Sequence, residues 1–236
     1  ATIWRYQDDE IGTYLDGTAS EWTTKVEERD LYAAAGSTAV SNYDWYVYVD
    51  GVEVEFDPDD LSRSSDDRVL RSGNGVLTQC FVDKDAGPHG EVIVSLINTY
   101  VAEVDNVEDN GDDYTVTVSY DTYPSDVSLD REFDTEDTFE KDDVVIVTVA
   151  NGEIKSMAIP ETVQGTVSAV KNNDYLRMDG TTYNYNYGYT GGTGSILTGV
   201  YDLDDNGGTN PEAGDDVTIY LAANRAAVAM RAADVT

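Results

Sequence analysis

Asp202, Asp204 and Asn206 stand at the first, third and fifth places of a short acidic run, and Gly207 stands at its sixth. That is the spacing by which an EF-hand-type loop gathers oxygens around calcium. A hard cation needs clustered oxygen ligands, and alternate side chains of a tight turn can converge to supply them. The twelfth place, where a bidentate Glu should close the shell, is Ala213, and Glu212 comes one residue early. Asp202, Asp204, Asn206 and Glu212 are therefore candidate Ca2+ ligands. In a chain with 47 acidic residues the same spacing also arises as an ordinary solvated turn. Asp83 and Asp85 carry a weaker form of the pattern.

A second constellation is aromatic. Tyr183, Tyr185, Tyr187 and Tyr189 alternate with Asn184, Asn186 and Gly188, and in a strand this period of two puts the rings on one face. Such a row offers flat apolar bodies with polar tips, which stack on sugar rings or on a neighbouring subunit. Tyr183, Tyr185 and Tyr187 are thus candidate ligand or interface residues. The bland alternative is that they wall a β core. The Gly-rich run 190–194 follows directly, so Tyr189 is the member least tied to the strand.

Covalent catalysis finds little material. His89 is the single histidine and lies in a Pro-Gly turn, so a nucleophile–histidine machine would have to be built on it. Carboxylates are so numerous that no pair stands out as an acid–base couple. Gly73-Asn-Gly75 and 190–194 lack both the phosphate-loop lysine and a following helix pattern, and read as turns. The expectation is a protein that is not an enzyme, with Ca2+ as its one candidate ion. Cys80, the only cysteine, excludes an internal disulfide and reads as a buried strand residue.

Charge narrows the partners. With 14 basic residues against 47 acidic, the formal charge is −33 at pH 7, which repels nucleic-acid backbones and anionic membrane surfaces. No run is long and apolar enough to insert in a membrane. Hydrophobic residues at 40% and 17 tyrosines still supply a core, so the acidity belongs to a folded protein whose self-repulsion calls for screening by salt or divalent ions. Sparse lysine would equally suit a halophile. The chain opens on no basic-then-apolar leader, which fits either a removed signal peptide or a segment of a larger protein, and its abrupt ends favour the second.

The elements that must position these residues are mostly strands. Residues 45–56 alternate around Asp50-Gly51, a hairpin with a type I′ turn. A helix is predicted over 25–35, stopped by Gly36, then an irregular stretch over 57–75. Strands over 75–82 and 91–100 flank a second turn at 83–90. Beyond that the chain says nearly the same thing twice. Gly165-Thr-Val-Ser-Ala-Val170, Asp174-Tyr175 and Asp215-Asp-Val-Thr-Ile-Tyr220 repeat Ala102-Glu-Val-Asp-Asn-Val107, Asp113-Tyr114 and Asp142-Asp-Val-Val-Ile-Val147. Copy one is predicted to have strands at 100–107, 114–120, 144–149 and 154–159, with an acidic connector over 121–143. Copy two has them at 165–171, 175–178, 181–187 and 217–221. Asn151-Gly152 and Asn224-Arg225 turn each copy into its last strand. The fold class is mainly β: an N-terminal β-rich domain (1–98) with few short helices, then two tandem small β-barrel or sandwich modules (99–160 and 161–236).

Several segments carry a family likeness. The opening Ala1-Thr-Ile-Trp-Arg-Tyr6 with Ile11-Gly-Thr-Tyr14 and Thr23-Thr-Lys-Val26, the turn Val82-Asp-Lys-Asp85 leading to the strand over 94–104, and Gly165-Thr-Val-Ser-Ala-Val170 resemble the non-anchoring region of bacterial S-layer-homology (SLH) surface proteins of gut Clostridia. The resemblance covers most of the chain through loose motifs and includes no catalytic signature. It implies an extracellular, cell-surface segment whose wall-polymer binding resides in other domains. The function expected on this basis is structural: self-association with copies of itself through stacked β modules. The alternative is an adhesin or carbohydrate-binding module using the tyrosine ladder.

Overall fold

The computed structural model describes residues 3–5, 8–12, 18–70, 72–120, 129–187, 200–205, 207–222 and 224–233. The first unit holds a two-stranded ribbon, β1 (Ile3–Arg5) with β2 (Asp8–Gly12), and a five-stranded sheet. The sheet contains β3 (Thr18–Trp22), β4 (Asp44–Val49), β5 (Val52–Val54), β6 (Leu77–Asp83) and β7 (Glu91–Ile97), in the order β3-β6-β7-β4-β5. Asp50 and Gly51 join β4 to β5 with φ of 47° and 77°, the two positive values a type I′ turn requires. Helix α1 (Glu28–Ala35) starts at a capping box between Glu27 and Asp30 and stops at Gly36. A second helix, α2 (Ser37–Asn42), follows at once, where no helix is expected from sequence, because its six residues are too few to show a period.

Alternation along β4 explains how this unit is layered. Val47 and Val49 join Leu31, Val40, Cys80, Val92 and Val94 in the main core, while Tyr48 points to the opposite face with Phe81 and Ile93. Cys80 is buried as expected, and burial pushes its thiol up to about 12.

Copy one contains β8 (Tyr100–Asp109), β9 (Tyr114–Ser119), β10 (Glu132–Thr135), β11 (Val144–Ala150) and β12 (Glu153–Ala158), in the order β10-β9-β8-β11-β12. Copy two contains β13 (Glu161–Lys171), β14 (Tyr175–Met178), β15 (Thr181–Asn184), β18 (Asp216–Leu221) and β19 (Ala227–Ala232). It also has an inserted hairpin, β16 (Val200–Asp202) with β17 (Gly207–Thr209). Its order is β15-β14-β13-β18-β19-β16-β17. Without the insert the two orders are identical. Each first strand carries a bulge at the same place, Val104–Asn106 in β8 and Val167–Ala169 in β13, and a bulge bends a long strand so that it can serve two sides of a curled sheet.

The sheets curl nearly shut. In copy two Tyr185, just past β15, bridges Ala227 of β19 in the parallel sense, and the Asn186 amide donates to the Ala227 carbonyl at 2.8 Å. In copy one the Asp130 amide, just before β10, donates to the Gly152 carbonyl at the head of β12 at 2.6 Å. A circuit of first, second, third, fifth and fourth strands is the connectivity of an OB-type Greek-key barrel. Tyr100, Val104, Val116, Val118, Val145 and Val147 fill one barrel, and Val167, Leu176, Met178, Tyr183, Val217 and Ile219 fill the other.

Register corrects the sequence alignment of the copies by one residue. Val104 donates to the Asp143 carbonyl and its counterpart Val167 to the Asp215 carbonyl, so Asp143, not Asp142, matches Asp215. Each belongs to a turn, Glu140–Asp143 or Glu212–Asp215, in which the last carboxylate accepts the first residue's amide at 2.8 Å. The third residue has positive φ, 71° at Asp142 and 107° at Gly214. Two further expectations change. The connector 121–143 contains β10, hidden because only Phe133 of its four residues is apolar; and the strand expected over 181–187 ends at Asn184.

The units pack around one another rather than end to end. Gly51 abuts Ala150, and the Asn151 amide donates to the Asp50 carbonyl at 3.0 Å. Barrel meets barrel through an apolar patch of Val101, Val144, Tyr201, Leu203, Tyr220 and Val228, flanked by an Arg231–Glu103 ion pair at 2.8 Å. The second barrel reaches the first unit through Asn186 and Tyr187. The Tyr187 amide donates to the Asn74 carbonyl at 2.6 Å, and its ring lies under Arg68 at 4.2 Å.

Gly73 and Gly75 make that last contact possible. A Cβ on Gly75, whose φ is +84°, would sit 1.5 Å from Asn186 Oδ1. Gly75→Ala should therefore cost stability well beyond backbone strain, about 3 kcal/mol in denaturant titration. Gly111→Ala, at φ +98° with nothing within 4 Å, should cost only about 1 kcal/mol. Equal losses would mean that the Asn186 contact does not hold the units together.

Candidate functional site

The tyrosine row has the alternation read from sequence, but its rings face inward. Tyr183 is 6% exposed and Tyr185 2%, both within the core of the second barrel. Tyr187 packs against the core of the first unit instead. The outward positions of β15 go to Thr182 and Asn184, which are exposed. The three rings thus serve two different cores and do not form a continuous exposed platform. Burial, then the nearby Asp174 charge, lifts the Tyr185 phenol to about 12. Tyr189 lies outside the described residues.

The acidic run forms a hairpin rather than a twelve-residue loop. Asp202 ends β16, Asp204 sits in the turn, and Gly207 opens β17, so the chain reverses and runs away from the turn. The Asp202 carboxylate accepts the Asp204 amide at 3.0 Å, and the Asp204 carboxylate accepts the Ala232 amide at 2.7 Å, tying the hairpin to β19. Glu212 belongs to the separate turn before β18, where it is the counterpart of Glu140. Asn206 lies outside the described residues. Among the described residues no three His, Cys, Asp or Glu side chains are grouped to hold a metal. Asp83 behaves as Asp202 does, accepting the Asp85 amide at 2.9 Å. A carboxylate bonding the amide two residues on is the Asx turn, so both D-x-D runs build turns.

Sequence reasoning missed a buried carboxyl. Asp50, at the hairpin tip of the first unit, is surrounded by donors: the Asn98 amide at 2.9 Å, Asn98 Nδ2 at 2.8 Å and the Tyr100 hydroxyl at 2.6 Å. No basic side chain is bonded to it among the described residues. Burial outweighs the three hydrogen bonds and raises the Asp50 pKa to about 6. Burial, followed by the Asp50 charge, also holds the Tyr100 phenol far above its ordinary value. Asn98 and Tyr100 link the first unit to the first barrel, so this cluster fastens the joint. Asp-Gly in a hairpin reads as a solvated turn; only the second unit packed on it reveals the burial.

The consequence for pH follows from the sign of the shift. A carboxyl at about 6 when folded and 3.8 otherwise keeps its proton more readily in the folded state. Its stabilising contribution is full below about pH 4 and is lost as pH rises through 6. Subtracting the stability curve of Asp50→Asn from that of the wild type should leave a fall on the order of 2–3 kcal/mol between pH 4 and 7; a flat difference would contradict it. For the hairpin, Asp204→Ala should lower stability by about 1 kcal/mol through the lost Ala232 bond. Its calcium calorimetry should match the wild type, whereas loss of a binding event would make Asp204 a ligand.

Among the described residues no helix is long and apolar enough to cross a membrane. The chain matches no protein-family model and no curated protein, so the likeness to SLH-associated surface proteins rests on the quoted segments alone.

Proposed function

We propose that this chain is a structural segment of an exported bacterial cell-surface protein, of the surface-layer or surface-fibre kind, which associates with copies of itself through its β modules and performs no catalysis. The observation that carries the reading is the pair of barrels with one strand order, packed against each other through an apolar patch. Duplicated modules that bury area against one another generate extended surface, which is what a lattice or fibre is built from. The resemblance of the quoted segments to SLH-associated proteins points to the same setting, outside the cell. A charge of −33 makes assembly depend on screening by salt or on bridging by divalent ions such as Ca2+. Wall-polymer binding would belong to other domains.

Sedimentation velocity tests this directly. Across roughly a hundredfold range of protein concentration, the weight-average mass should rise in calcium or high salt and fall back in chelator at low salt, because screening weakens like-charge repulsion. A strict monomer under every condition would remove the proposal.

A further inference from the structure

Where the first unit meets the outer face of β15 there is a cleft of about 220 Å³. Thr23, Thr24 and Asn74 come from the first unit, Thr181, Thr182 and Asn184 from β15, and Arg225 from the turn before β19. One residue in five of this chain is acidic, yet no carboxylate lines the cleft. Arg225, its single charged group, is already paired with Glu161 at 2.5 Å.

Chemistry follows from that lining. A cation finds no carboxylate there, and an anion meets the field of a chain at −33 with an arginine whose charge is already answered. What remains is hydroxyl and amide groups, which both donate and accept. Among the described residues the side chains of Thr23, Thr24, Asn74, Thr181 and Asn184 spend none of this capacity on one another, whereas Thr182 Oγ1 accepts from Arg177 Nε at 3.2 Å and the Asn224 amide donates to the Thr23 carbonyl at 2.6 Å. Tyr183, between Thr182 and Asn184, turns its ring into the barrel core and leaves the cleft to these polar groups. We propose that this cleft is a binding site for an uncharged glycan. It is distinct from the tyrosine row, using the opposite face of the same strand, and does not depend on self-association.

Two positions separate binding from folding, because Thr24 and Asn184 are exposed and make no side-chain bond among the described residues. Maltotriose, cellotriose and chitotriose serve as neutral probes and tri-galacturonate as the acidic one, each followed by calorimetry and ligand-observed NMR. At least one neutral trisaccharide should bind with a Kd of about 1 mM or tighter. The double variant Thr24→Val/Asn184→Ala should weaken it by about tenfold with the thermal midpoint unchanged, and tri-galacturonate should not bind. If the double variant unfolds, Asn184→Ser alone carries the comparison. No neutral binding at about 10 mM, an unchanged affinity in the variant, or tighter binding of the acidic probe would each overturn the proposal.

Discussion

A chain with 47 carboxylates and 14 basic side chains cannot join three folded units by complementary charge, and its joints follow from that limit. Where unit meets unit the acids are absent, paired, or, at Asp50, buried among hydrogen-bond donors with a raised pKa of about 6. The barrel-to-barrel contact is an apolar patch edged by one Arg231–Glu103 pair. At the joint of the first unit and the second barrel, backbone groups and the Asn224 amide make the hydrogen bonds, and Arg68 lies on the Tyr187 ring, while the Asn186 amide donates to the Thr99 carbonyl just before β8. The first barrel is held at Asp50, whose neutral form suits its burial. Most other acids among the described residues face solvent, where water and salt screen them, and Glu27, which is buried, is paired with Lys25 and Arg29.

This limit also explains why the two barrels diverged as they did. Their shared features are backbone geometry: a bulge two residues past Ala102 or Gly165, a turn closed by Asp143 or Asp215, and a positive φ at Asp142 or Gly214. Side chains at most solvent positions differ between the two copies. Added elements appear where a new contact was needed, as with β16, whose Tyr201 and nearby Leu203 supply part of the patch against the first barrel.

Much of the fold was legible because local chemistry and global packing agree. Asp50-Gly51 and Asn151-Gly152 predict tight turns, and both pairs take positive φ. The strands of both copies lie close to where hydrophobic alternation puts them. What stayed hidden has a physical cause in each instance. Strand β10 has one apolar residue, Phe133, so there is no hydrophobic period to read. The one-residue error in aligning the copies arose because Asp142 and Asp215 agree in type, whereas the turn matches Asp142 with Gly214, by φ rather than by side chain. The Asp202 run reads equally as loop or turn, and only the pairing of β16 with β17 decides its path.

The tyrosine row shows the limit most clearly. A period of two states that Tyr183 and Tyr185 share a face, but it cannot say which face is wet, since that depends on what the sheet curls around. Closure of the barrel at Tyr185–Ala227 turns those rings inward. The same closure sends Thr182 and Asn184 outward, beside the threonines of the first unit. Aromatic residues thus supply the apolar volume that a small barrel needs, and small polar ones are left at its mouth. The face that sequence marks as conspicuous is the one spent on folding, and recognition is left to the plainer residues between.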